Sequence, residues 1–271
     1  CSSLSFITIP DSVTSIGRRA FFGCISLTRI KIPGSVTYIG DKAFNGGSLT
    51  SITIFSNNVV FNDSADTISA TATIYGYSGS TAEAYATKYN RKFVAIIANG
   101  ECGESLEWML DETGLLTIEG TGTMDDYPSR NIPWYEYRSS IKSVEIRDGV
   151  TSIGSHAFSV CNSLMSITIP DSVTRIGNGA FAGCDDLTSI TFGENSQLTS
   201  IGDNAFDLCC IITGISIPNN VISIGSRAFQ SCRSLTDITI PNSVISPILQ
   251  SKSSIKVPSA GNRADSTAEE S

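Results

Sequence analysis

The sequence predicts a repeat solenoid, mainly β, made of two arrays of parallel stacked strands joined by a cap region. Three observations carry that prediction. A unit of the form Cys-x-x-Leu-x-x-Ile-x-Ile-Pro-Asp-Ser-Val-Thr-x-Ile-Gly-x-x-Ala-Phe-x-Gly, about 23 residues long, recurs from Cys1, Cys24 and Gly46 and again from Arg138, Cys161, Cys184, Cys209 and Cys232. Within each copy a short stretch alternates apolar and polar residues, as a strand with one buried face does. The repetition stops after Ile54 and resumes near Ile141, which divides the chain into two arrays.

Each column of the repeat has a predicted task. Leu4, Ile7 and Ile9, with Leu164, Ile167 and Ile169 as equivalents, put apolar side chains at alternate strand positions and so face the interior. Pro10, Pro33, Pro170, Pro218 and Pro241 end the strand, because proline cannot donate the next ladder hydrogen bond. Asp11 and Asp171 follow as turn residues rather than as catalytic acids. Gly17, Gly40, Gly154, Gly177, Gly202 and Gly225 mark a bend that calls for positive φ. Phe21, Phe44, Phe158, Phe181, Phe206 and Phe229 recur once per winding and should stack as an aromatic spine. Side chains between the inward isoleucines point out of the sheet, and there stand Thr8, Lys31, Thr53, Glu145, Thr168, Thr191, Ser216 and Thr239. Threonine suits an exposed strand for its own sake. A ribbon of hydroxyls with few charges is also a contact surface for another macromolecule, and these eight residues are the candidate ligand-binding set.

Four segments follow. Residues 1–97 form the C-terminal part of one array with its end cap, where "SGSTAEAYATKYN" offers a capping box at Ser80 and Glu83, a short helix, and Asn90 to end it. Residues 98–137 form the N-terminal cap of the second array. There "LEWML" and "LLTIEG" flank a connector containing Gly114, a hairpin signal, and Trp134 and Tyr137 should lie over the first winding with Trp108 nearby. Ala98, Asn99 and Gly100 read as a short linker. Residues 138–245 are the second array, and residues 246–271, rich in serine and charge without apolar period, are an expected disordered tail.

Composition excludes several functions. A net charge of -8 repels phosphate backbones, so nucleic acid is not an expected partner. The longest apolar runs, such as Phe93 to Ala98, fall far short of the roughly 20 residues a spanning helix needs. Six of eight cysteines, Cys1, Cys24, Cys161, Cys184, Cys209 and Cys232, share one repeat position. Their side chains run parallel on consecutive windings, so buried free thiols are expected in preference to disulfides. Cys102 and Cys210 fall outside the column. With one histidine and no Cys-x-x-Cys pair, neither a metal site nor any other cofactor is expected. His156 aligns with Arg19, Lys42 and Arg227 in a variable polar column, so no catalytic residue is assigned. The opening at Cys1 within a repeat implies a fragment or processed piece of something longer.

With its "LTSITIP", "DSVTSIG" and "AFAGC" stretches, the chain resembles the BspA-like leucine-rich-repeat family of bacterial and protozoan surface proteins. "YGYSGSTAEAYATKY" looks like the end cap of such arrays, and "CGESLEWMLDETGLLTIEGTGTM" with "PWYEYRSSIKSVEI" like the segment that starts them. The resemblance implies a secreted or cell-surface, non-catalytic adhesion module that binds an extracellular protein, such as a matrix component, or another cell surface. The rival reading is a passive spacer that presents another domain of a longer protein.

Overall fold

The computed structural model describes residues 2–128 and 131–245; the tail from Ser246, expected to be disordered, lies outside the described residues. The chain divides into two compact units. The first takes in Cys1–Ala98 and Leu110–Thr113, the second Asn99–Met109 and the chain from Gly114 onward. Each is a β-solenoid.

In the first unit the strands Arg29–Ile32, Ser51–Ile54 and Thr73–Gly76 run parallel, followed by the leading part of Phe93–Gly103. Ile30, Ile52, Ile74 and Phe93 stand in one register row, so the same inward position meets its equivalent on every winding. A second row of short strands, Ser15–Ile16, Tyr38–Ile39 and Val60–Phe61, lines up Ile16, Ile39 and Phe61. Ile32, Ile39, Ile52, Ile54 and Ile74 are wholly buried. Each such side chain contributes about 1.5–3 kcal/mol by leaving water. The helix Thr81–Lys88 follows, as the capping box foretold. Ser80 accepts from the Glu83 amide at 3.3 Å, while Glu83 reaches back to the Gly79 amide at 2.6 Å. Asn90 takes φ 50, the left-handed conformation that stops the helix.

The second unit contains the leading part of strand Leu106–Asp111 and the whole of Leu115–Gly120, and Gly114, between the two strands, takes φ 86. Strands Ser143–Ile146, Ser166–Ile169 and Ser189–Phe192 add in parallel, aligning Leu116, Val144, Ile167 and Ile190. A second row aligns Ile153, Ile176, Ile201 and Ile224, and a last pair joins Gly214–Ser216 to Asp237–Thr239.

The aromatic spine forms in both units. Phe21 and Phe44 stack at 5.2 Å; Phe158, Phe181, Phe206 and Phe229 stack at 5.3, 5.3 and 5.4 Å. Trp134 extends the second spine by one ring. It lies on Phe158 at 5.6 Å, meets Trp108 edge-on, is fully buried and donates its indole N–H to the Ala157 carbonyl.

Two sequence expectations need correction. Gly17 and its equivalents do not adopt positive φ; the residues two and six positions later do, at Arg19, Lys42, His156, Gly179, Asn204 and Arg227, and at Gly23, Gly46, Val160, Gly183, Leu208 and Ser231. These left-handed residues aim alternate amides at the next winding, so Arg19, Phe21 and Gly23 donate in turn to the carbonyls of Asp41, Ala43 and Asn45. The column at Gly17 wants glycine because the preceding winding comes too close. A Cβ on Gly177 would sit 2.4 Å from the Ser155 amide nitrogen and one on Gly225 2.4 Å from that of Asp203, whereas one on Gly17 would meet nothing within 4 Å. Ala98, Asn99 and Gly100 are not a linker loop but lie inside the strand Phe93–Gly103. Gly100 serves close packing there, since its missing Cβ would stand 3.0 Å from Trp108 Nε1.

Repeated serine and threonine residues tie winding to winding. Hydroxyls of Ser35, Ser172 and Ser243 donate to the carbonyls of Val13, Val150 and Val221, and those of Thr37, Thr174 and Thr199 to Thr14, Thr151 and Thr174. Thr50, Thr188 and Thr236 do the same toward Thr28, Met165 and Thr213. The Ser-Val-Thr and Leu-Thr segments recur because each hydroxyl satisfies a neighbouring carbonyl.

Candidate functional site

The eight predicted sheet-face residues divide into small groups. In the first unit Lys31 and Thr53 are register partners, and Tyr75 continues the row beyond Thr53. Thr53 is buried rather than exposed, at 8%. Its neighbours in the row, a long lysine and an aromatic ring, are both larger than threonine, and a small residue between two large ones loses its access to water. Thr8 is exposed but stands outside any described strand.

In the second unit Thr168 and Thr191 are register partners, both exposed, with hydroxyl oxygens 2.8 Å apart. Ser166 and Ser189 form a parallel exposed row two residues earlier. Ser216 and Thr239 pair in the same way and are exposed. Glu145 faces Thr117 and is part of a charged corner, where Arg147 bonds to Glu145 at 3.2 Å and also to Glu119. Lys31 and Thr53 thus meet in one unit, Thr168 with Thr191 and Ser216 with Thr239 in the other. The alternation missed Met165, 56% exposed at the start of this face, and the serine row, although both are written in the recurring "SITI" and the residue before it.

The remaining candidates are structural. Asp171 Oδ1 accepts from the Asn195 amide at 3.0 Å, as a turn carboxylate does. His156, at φ 58, donates its backbone amide to Asn178 as one of the left-handed turn residues. The rings of Trp108 and Trp134 are buried and offer no platform to a sugar. Cys161, Cys184, Cys209 and Cys232 are buried, and the first three are free thiols. Cys184, Cys209 and Cys232 donate to the carbonyls of Phe158, Phe181 and Phe206 at 3.1, 3.2 and 3.1 Å. Burial pushes the Cys161 thiol up to about 12 and those of Cys184 and Cys209 well above their ordinary range. Cys24 departs from the expectation of free thiols, for it is disulfide-bonded. Adjacent strands lie about 4.8 Å apart, inside the Cα reach of a disulfide, so parallel side chains do not forbid the bond. Among the described residues no group of three or more His, Cys, Asp or Glu side chains could hold a metal ion, and no helix is long and apolar enough to cross a membrane.

The stacked windings, the spine and the serine–threonine ladders define a leucine-rich-repeat solenoid. A family profile described as the BspA type leucine rich repeat region matches residues 1–75 and 133–251 in six copies, and the chain belongs to that family. A leucine-rich repeat protein from Eubacterium ventriosum, solved as a crystal structure, is 32% identical over 60% of this chain and 44% of its own, with a TM-score of 0.53. A leucine rich cell surface protein from Faecalibacterium prausnitzii is 27% identical over 87% of this chain and 53% of its own, with a TM-score of 0.38. The T. pallidum leucine rich repeat protein is 28% identical over 55% of this chain and 64% of its own, with a TM-score of 0.38. The chain therefore spans less than two-thirds of the length of each. No protein with a curated description matches it.

Proposed function

We propose that the protein is a non-catalytic adhesion module, acting at a cell surface or after secretion, that binds an extracellular protein such as a matrix component, or another cell surface, through its open sheet face. The observation that carries this reading is the pair of exposed hydroxyl rows on the second unit, Thr168 with Thr191 and Ser166 with Ser189, on adjacent parallel strands. The Thr168 and Thr191 hydroxyls contact each other at 2.8 Å, with a longer 3.4 Å contact from Thr191 to the Ile167 carbonyl, whereas the Ser-Val-Thr hydroxyls are spent on the neighbouring winding at 2.8–3.0 Å. A flat, hydroxylated, weakly charged strip can hydrogen-bond a partner without a large desolvation cost. Membership of a leucine-rich-repeat family supports the same reading, since solenoids present extended surfaces for binding. The helix Thr81–Lys88 and the tryptophan-bearing hairpin serve as array caps in this account.

Replacing Thr168, Thr191 and Ser216 together by lysine tests it. Attachment to a surface coated with matrix protein should fall at least tenfold while circular dichroism stays unchanged. Full attachment by the folded variant would refute the adhesive sheet in favour of a spacer.

A further inference from the structure

We infer that Asn45–Gly46 is a self-modifying site, at which the Gly46 amide nitrogen closes on the Asn45 side chain, expels ammonia and leaves an aspartyl or isoaspartyl residue in its place. Asparagine precedes glycine at Asn45–Gly46, Asn99–Gly100 and Asn178–Gly179. Glycine favours this closure because no Cβ crowds the attacking nitrogen and its backbone turns freely. All three pairs share that chemistry, so their surroundings decide between them.

Asn178–Gly179 is held at both reacting groups. The Asn178 Oδ1 accepts from the Asp203 amide at 2.9 Å, and the Gly179 amide donates to the Asp203 carbonyl at 2.8 Å. Asn99–Gly100 lies inside the strand Phe93–Gly103, with Trp108 Nε1 3.0 Å from where a Gly100 Cβ would stand. Strand pairing and the indole together resist the backbone turn that closure needs.

Asn45–Gly46 is held at neither group. Among the described residues, the Asn45 side chain and the Gly46 amide make no hydrogen bond. Gly46 is exposed and lies in a bend at φ 70, outside any strand or helix. The reason lies one winding on. Gly23 and Gly183, in the same column as Gly46, donate their amides to the carbonyls of Asn45 and Asp207 on the following winding. After Gly46 the repeat gives way, and the next winding pairs with Phe44 through Thr67 and Ser69 without offering Gly46 an acceptor.

The chemistry needs only water. The Gly46 nitrogen, losing its proton, attacks the side-chain carbonyl carbon of Asn45; a C–N bond forms, the bond to the side-chain amino group breaks, and that group leaves as ammonia with the proton. Water then opens the cyclic imide. Opening at the side-chain carbonyl gives aspartate, and opening at the main-chain carbonyl gives isoaspartate, with the chain rerouted through the former side chain. Water is consumed and ammonia released in equal amounts, with nothing oxidised or reduced. Either product places a new negative charge on this bend. In the isoaspartyl form the carbonyl that accepts the Gly23 amide at 3.0 Å becomes part of a carboxylate off the main chain, so the contact between these two windings is rewritten.

The test ages the full folded chain at mildly alkaline pH beside a sample kept in urea, and maps both by mass spectrometry of peptides. Methyl transfer from S-adenosylmethionine by an isoaspartyl methyltransferase counts the isoaspartate. In the folded chain Asn45 should convert faster than Asn99 and Asn178 by on the order of tenfold or more, because those two must first open locally. In urea the three should convert at similar rates. Equal rates at Asn45 and Asn178 in the folded chain would overturn the inference, and so would an Asn45 that survives there while converting in urea.

Discussion

Lys31, Thr53 and Tyr75 share one row in the first unit, and Thr53 is buried; Thr168 and Thr191 share the equivalent row in the second, and both are open to water. The two units use one repeat, yet the same column position is core-like in one and surface in the other. Exposure along a solenoid sheet is decided by the row across windings as much as by alternation along a strand. The cysteine column differs in parallel, with Cys24 bonded in the first unit and Cys161, Cys184 and Cys209 free in the second. Both tryptophans, Trp108 and Trp134, belong to the second unit, so indole fluorescence reports on that unit alone.

The largest contrast should come from the spines. Phe181 is fully buried with a ring on each side, whereas Phe21 is half-buried and stacks on Phe44. Phe181→Ala should cost about 3–5 kcal/mol, seen as a lower denaturant midpoint by tryptophan fluorescence, and Phe21→Ala about half as much by circular dichroism. Next come the close-approach glycines. Gly177→Ala forces a Cβ onto backbone at 2.4 Å and should cost about 3 kcal/mol. Gly17→Ala, in the same column, should change stability by less than about 0.5 kcal/mol. Equal effects at the two positions would mean that the glycines serve conformation and not spacing.

Tyr85 offers a smaller test confined to the first unit. Its hydroxyl accepts from the Ile68 amide at 3.2 Å and shares its proton between the carbonyls of Ser64 and Ala65 at 3.1 and 3.2 Å. Tyr85→Phe strands a buried amide and should cost about 2 kcal/mol. Amide exchange should quicken around Ile68 and leave the second unit unchanged.

The mildest effect is alkaline. The Cys161 thiol is raised from 9.0 to about 12 in the folded chain, so its contribution is complete below pH 9 and is lost as pH climbs toward 12. Unfolding of the reduced second unit should ease by about 1.4 kcal/mol per pH unit above 9 for this thiol alone. Cys161→Ala should flatten that slope. Cys24, already bonded, gives the first unit no matching loss from this column.

Most of the fold was legible because its determinants are periodic. The inward isoleucines, the stacked phenylalanines, the Ser80–Glu83 cap and Trp134 over the first winding all follow from residue type and spacing. What escaped depends on a neighbour one winding away. Gly177 reads as a conformational glycine until Ser155 is placed beside it, and the left-handed turns at Val160 and Leu208 carry side chains that would never announce them. Gly100 looks like a linker residue until Trp108 packs on it. The candidate face was legible only in part, because Thr53 and Thr168 sit in the same sequence pattern and differ in what flanks them sideways.

The serine and threonine bonds of the Ser-Val-Thr and Leu-Thr segments all run toward the N-terminus, from a hydroxyl to a carbonyl in an earlier winding. The assembly thus has a built-in direction. A coil emerging from a ribosome or an export channel finds its acceptors already in place behind it, so growth proceeds like bricks laid on a finished course. Removing the last course leaves the hydroxyl bonds beneath it intact, while removing the first strips the next one's hydroxyls of their acceptors.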